Sequence, residues 1–125
     1  MEIVLLDKQQ VIEEPYITWI RNQHLMFESP MSIISKIHAD VYKVYVAMDD
    51  YNYPHGMVVC KFDKDSCVTV IVYAKNKLLA LRDAFYERLK SMNIRTVKTF
   101  SHQRSEAYER LIGMKHMYSY YEKEL

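Results

Sequence analysis

Lys75, Asn76 and Lys77 are the residues of this chain whose position most directly raises a question of chemistry. They stand between a buried-looking strand and an amphipathic helix within VTVIVYAKNKLLALRDAFYERLKSMN, residues 68–93. In an α/β domain such a junction is where the charged end of a ligand meets free backbone N–H groups. This junction contains no glycine, so close approach of the backbone to an anion and a left-handed φ both carry a steric cost. The two lysines either attract an anion as point charges or form a solvated surface.

Other chemistries are screened by spacing. The five histidines, His24, His38, His55, His102 and His116, never stand at metal-ligand spacing with one another or with Cys60 and Cys67, so no metal is expected. No nucleophile elbow, phosphate loop or dinucleotide fingerprint is present. Asp49 and Asp50 adjoin in a polar loop, where they cap or solvate. Cys60 and Cys67 fall in adjacent predicted strands and read as buried free thiols in a reducing compartment. A formal net charge of +1 over 125 residues gives no electrostatic case for nucleic acid or an anionic membrane. No run approaches the ~18 apolar residues of a membrane span, and MEIVLLDKQQ lacks the regions of a signal peptide. The expectation is one soluble, cytoplasmic domain over residues 1–125.

The elements that must position these residues follow from periodicity. Residues 2–6 read as a short strand, residues 11–25 as a helix with Pro15 in its first turn and Ile12, Tyr16, Trp19, Ile20 and Gln23 on one face. A second helix follows Ser29 and Pro30 and carries Met31, Ile34, Ile37 and His38 on one side. Residues 41–48, 57–62 and 67–73 form an antiparallel meander. In its first strand Tyr42, Val44, Val46 and Met48 share a face; in its last, Val68, Val70 and Val72 oppose Thr69, Ile71 and Tyr73. Asn76 is expected to cap the main helix, with its stripe Leu78, Leu81, Phe85, Leu89 and Met92. Residues 94–100 return as a strand parallel to the one before that helix. Residues 101–112 form a short helix ending at Gly113, and residues 117–125 a last strand.

That order, with SEAYERLIGMKHMYSYYEKEL at the end, resembles the GNAT acetyltransferase superfamily. Members commonly close with a short helix, a tyrosine, a Leu-Gly-Phe-like cap and an aromatic strand; here the signature is confined to residues 108–114 and the helix before them. The resemblance implies an α/β (α+β) fold: a mixed sheet with an antiparallel meander, a central strand–helix crossover and helices on both faces. It also implies an acetyl-CoA site, in which a Gln/Arg-x-x-Gly-x-Gly/Ala loop holds the pyrophosphate. Here Lys77, Leu79 and Leu81 fall near the small-residue positions and Asn76 near the Arg, so side chains are expected where phosphate oxygens would lie. The family's general acid is a tyrosine; Tyr108 stands five residues before Gly113, one further than usual, with Glu109 in the usual place. A one-residue offset turns a helical side chain by about 100 degrees. Tyr73, Asp50 and His55 lie near loops where a general base could sit.

Tyr51 and Tyr53 in the loop DDYNYPHG, with Tyr118, Tyr120 and Tyr121 in the tail, form a candidate interface, since tyrosine brings large contact area with few rotors. The leading expectation is therefore a GNAT-like protein without cofactor that serves as a binding or assembly component, docking on a protein partner or on itself. It resembles small GNAT-like bacteriophage proteins, including internal virion components, which would place it in host cytoplasm or virion. The alternative is a divergent acetyl-CoA-dependent N-acetyltransferase with Tyr108 as acid and Lys75, Asn76 and Lys77 at the cofactor. A distant third is a phage inhibitor of a host enzyme.

Overall fold

The computed structural model of the chain describes residues 1–23, 28–100, 115–117 and 120–125. Strand β1 (Glu2–Leu5) is followed by a 3-10 turn, Lys8–Ile12, that starts where the Asp7 carboxylate accepts the Gln9 N–H at 2.8 Å. The expected helix over residues 11–25 is split at Pro15. Its ring has no N–H to continue a helical ladder, so the regular helix α1 is only Tyr16–Arg21. Ile12 is consequently exposed, and Val11, Tyr16, Ile17, Trp19 and Ile20 carry the burial.

Helix α2 (Pro30–His38) begins as its sequence predicts, with the Ser29 hydroxyl accepting the Ser32 N–H at 3.1 Å and Pro30 in the first turn. Its buried face is Ile33, Ile34 and Ile37, while Met31 and His38 are exposed. The stripe is thus rotated from the expected one, because three adjacent isoleucine positions outweigh a methionine in the first turn.

The sheet has the order β1-β2-β3-β4-β5-β7-β6. Strands β2 (Lys43–Met48), β3 (Pro54–Asp63) and β4 (Ser66–Ala74) complete an antiparallel meander with β1. Helix α3 (Leu78–Ser91) then carries the chain to β5 (Thr96–Phe100), which pairs parallel with β4. The expected last strand is two strands. β7 (Tyr120–Glu124) pairs antiparallel with β5, and β6 (Lys115–Met117) lies on its outer side.

Two apolar layers cover the sheet. On one face α1 and α2 bury Trp19, Ile20, Ile33 and Ile37 against Val44, Val46, Met57, Val59 and Ile71. On the other, α3 buries Leu81, Phe85 and Leu89 against Tyr45, Val58, Cys60, Cys67 and Val97. Leu78 is half-buried and Met92 partly exposed, so the α3 stripe is strongest at its middle. Cys60 and Cys67 are fully buried free thiols. Among the described residues no helix is long and apolar enough to cross a membrane.

Candidate functional site

A β-bulge interrupts the β3–β4 ladder. Val59 pairs with Ile71 and Cys60 with Thr69, which leaves Val70 as the extra residue. The bulge breaks the expected alternation of β4: Val70 packs with Ile71 and Tyr73 on the α1–α2 side, whereas Thr69 and Val72 face α3. Bulges bend the strand that carries them and increase its twist. One residue earlier, the parallel β4–β5 ladder ends at Thr69 opposite Thr99. Beyond Thr99 the described part of β5 holds only Phe100, while β4 runs on to Ala74.

An apolar cleft lies between α3 and the sheet face beneath it, lined in part by Val58, Val72, Leu81, Phe85 and Val97, with the buried residues Thr69 and Thr99, whose hydroxyls bond each other. Tyr86 also lines it, and burial holds its phenol protonated, with a pKa of about 12. Gly56 lets α3 lie this close to the sheet. A Cβ there would stand 2.5 Å from the Tyr73 carbonyl oxygen and 3.2 Å from Leu81 Cδ2.

The strand–helix junction at the end of β4 departs from the expected one. Lys77, not Asn76, is the residue before α3, and it takes the left-handed conformation with φ 56° and ψ 46°. For a residue with a Cβ this costs roughly 1–2 kcal/mol, so the turn that glycine would favour is made without one. Among the described residues no side chain caps α3. Its first intrahelical bond runs from Leu81 N–H to the Lys77 carbonyl at 3.0 Å, so among the described residues the amides of Leu78, Leu79 and Ala80 form an open helix start. Leu79 is 48% exposed and Leu81 is buried toward the sheet. The expected place of Leu81 is therefore corrected, since it packs into the core rather than over this start, and the left-handed φ falls at Lys77, two residues before Leu79. Lys75 and Lys77 are both exposed beside it.

Asn76 has a different task. Its Oδ1 lies 2.7 Å from His55 Nδ1, and His55 Nε2 lies 2.8 Å from Asp49 Oδ2. Asp49 Oδ1 in turn accepts the backbone N–H groups of Tyr51 and Tyr53 at 2.8 and 3.0 Å. The Lys75 N–H donates to the His55 carbonyl at 2.8 Å. Both ring nitrogens of His55 are thus occupied, which makes it a strut between the β2–β3 loop and the junction. Its carboxylate partner is Asp49; Asp50 is exposed. Tyr73, the other base candidate, stacks on Trp19 with centroids 4.8 Å apart.

His55, with help from the Tyr53 and Tyr51 N–H groups, holds the Asp49 carboxyl down at a pKa of about 2, below its ordinary 3.8. A depressed acid stabilises the fold above its unfolded pKa and ceases to as pH falls through the folded one. Asp49→Asn is therefore expected to melt at lower temperature than wild type at neutral pH. The gap should narrow between about pH 4 and pH 2, which thermal melts across that range would read.

Tyr51 and Tyr53 are 82% and 68% exposed on the β2–β3 loop. Tyr120 and Tyr121 lie on β7, which is flanked by β5 and β6. The expected aromatic edge strand is therefore an inner strand of the sheet. Tyr108, Tyr118 and the expected helix over residues 101–112 with its Gly113 cap lie outside the described residues.

No family model and no curated protein matches the sequence. Solved structures do match in three dimensions. An acetyltransferase of the GNAT family from Staphylococcus aureus aligns with a TM-score of 0.63 at 10% identity, covering 99% of this chain and 98% of that one. A GNAT family acetyltransferase from Brucella melitensis, solved with acetyl-CoA, gives 0.68 at 14%, covering 99% and 87%. The fold is the GNAT fold. The aminoglycoside acetyltransferase AAC(6')-Ib, solved with coenzyme A and kanamycin, shares it at 0.65 and 11%, covering 98% and 94%. Within the GNAT fold of this chain, the cleft and the start of α3 adjoin one another at Leu78. One sequence signal bears on this site in retrospect: Asp49 and His55 stand in one short stretch, DDYNYPHG.

Proposed function

We propose that this chain is a divergent acetyl-CoA-dependent N-acetyltransferase. The observation that carries the reading is that the start of α3, at Leu78, adjoins the apolar cleft between α3 and the sheet. The residues fit a coenzyme at that place. Three backbone amides and the positive end of a 14-residue helix suit a diphosphate. The exposed side chain of Leu79 leaves that approach open, and Lys75 and Lys77 add charge beside it. Acetyl-CoA would supply an activated acyl group for transfer to an amine. The chain's own contributions are positioning and exclusion of water. The amides of residues 78–80 hold the anionic end, the cleft walls desolvate the arm, and the His55 strut keeps the β2–β3 loop against the junction. Tyr108 is the proposed proton donor to the leaving group.

The assembly reading depended on side chains closing the junction, and no observation now favours it over catalysis. A protein partner at Tyr51 and Tyr53, and a single domain over residues 1–125, stand as further proposals. Calorimetric titration with acetyl-CoA tests the main one. Saturable binding in the micromolar range is expected, with thiol release on adding a primary amine. Absence of binding up to millimolar acetyl-CoA would overturn it.

A further inference from the structure

His55 faces a hydrogen-bond acceptor at each ring nitrogen, Asp49 Oδ2 at Nε2 and Asn76 Oδ1 at Nδ1. The Asp49 carboxylate, with a pKa of about 2, has no proton to give. A neutral imidazole has one donor and one acceptor, whereas the imidazolium has two donors. The arrangement therefore belongs to the charged ring. On losing a proton the ring keeps its Nε2–H for Asp49 and turns a lone pair from Nδ1 toward Asn76. Asn76 can meet that lone pair only by turning its amide over, so that the NH2 group donates. The Asn76 side chain is exposed, and its NH2 group has no partner among the described residues. Within that set His55 alone orients the amide.

We propose that His55 is a positioning residue that acts on the coenzyme through Asn76: protonated, it leaves the Asn76 NH2 group outward as a donor to the diphosphate, and neutral, it leaves the carbonyl oxygen outward instead. This rests on the acetyltransferase reading above. Asn76 immediately precedes Lys77, in the turn that leads into Leu78 and the first amides of α3. An NH2 group there donates a charge-assisted bond to a phosphate oxygen, whereas a carbonyl oxygen repels it. Coenzyme affinity therefore falls as pH rises and His55 gives up its proton. By linkage, bound coenzyme strengthens the hold of His55 on that proton. The other charged groups on the elements around the ring are Asp50 in the β2–β3 loop and Lys75 and Lys77 at the junction, all exposed, and none of them bonds the ring. The neighbouring positions in β2 and β4, Met48 and Ala74, carry no charge.

The test titrates 3′-dephospho-coenzyme A calorimetrically into wild type, Asn76→Ala and His55→Gln between about pH 5.5 and pH 8, the range in which histidines change charge. This probe keeps the diphosphate and lacks the 3′-phosphate, which would itself titrate at about pH 6. Wild type is expected to bind about three- to tenfold more weakly at the upper pH, in line with one hydrogen bond. Asn76→Ala should bind equally at both pH values and more weakly than wild type at the lower one. His55→Gln should likewise show no pH dependence; Asn76 is exposed, so the alanine variant serves if the glutamine variant does not fold. Wild-type affinity that does not change with pH would overturn the assignment, as would a pH dependence that survives in Asn76→Ala. Without ligand, NMR signals of the His55 ring and the Asn76 NH2 group should titrate with one shared midpoint. An Asn76 signal that stays fixed while His55 titrates would overturn the coupling itself. Wild type that binds acetyl-CoA but not the probe would overturn the donor role of Asn76 alone. Binding of neither would overturn the acetyltransferase reading and that donor role with it, while the shared midpoint would still decide the coupling.

Discussion

Replacing Gly56 with alanine is expected to lower stability by about 2–3 kcal/mol, read as a fall in denaturant midpoint. The cause is steric. The new methyl would stand 2.5 Å from the backbone oxygen of Tyr73 and 3.1 Å from Ala74 Cα, neither of which can rotate away, and 3.2 Å from Leu81 Cδ2. Alanine's lower backbone entropy in the unfolded chain would return roughly 0.4–1 kcal/mol, which is too little to offset the clash. Relief requires β3 and β4 to separate, and the Leu81 contact pushes on α3 as well, so the cleft widens. Weaker binding of acetyl-CoA should therefore accompany the loss. Stability within half a kcal/mol of wild type would mean that β4 does not lie against Gly56 as described.

Lys77→Asp should separate stability from binding. Aspartate tolerates the left-handed region better than most residues, and its carboxylate beside the start of α3 interacts favourably with the helix dipole by about 0.3–1 kcal/mol. The fold should thus be as stable as wild type or slightly more so. A coenzyme diphosphate at the same amides would meet a negative charge in place of a positive one. At a separation of ~5 Å near a protein surface that reversal is worth roughly tenfold or more in affinity. Unchanged affinity for acetyl-CoA would place the anionic end elsewhere, and raising salt should weaken wild-type binding more than that of the variant.

Much of the fold is legible in the sequence where the signal is local. Ser29 followed by Pro30 marks the start of α2 because both capping bond and ring act within three residues. The middle of α3 is legible because Leu81, Phe85 and Leu89 repeat at helical spacing. The parallel placement of β5 follows from the helix between it and β4. What depends on pairing between distant residues is not legible. The alternation of Val68 to Tyr73 looks unbroken, and only the register with β3 reveals Val70 as a bulge. Asn76 is a good capping residue by type, yet His55, 21 positions away, takes its side chain.

The candidate site is hard to read in the sequence for a related reason. With no glycine at the junction and leucines at the expected small-residue positions, composition predicts a closed turn. The backbone instead places its left-handed residue at Lys77 and leaves Leu79 exposed. Composition reports which residue is cheapest in such a turn, not which one occupies it. The meeting of Thr69 and Thr99 is equally hidden, because they are 30 residues apart and come together only through the β4–β5 register.

The proposed diphosphate site is the first turn of α3, whose amides have no partner among the described residues. Backbone amide chemical shifts, followed by NMR during titration with coenzyme A, read that site residue by residue. Saturable shifts are expected at Leu78, Leu79 and Ala80 with one shared dissociation constant. Saturation of shifts elsewhere while these three amides stay fixed would contradict it.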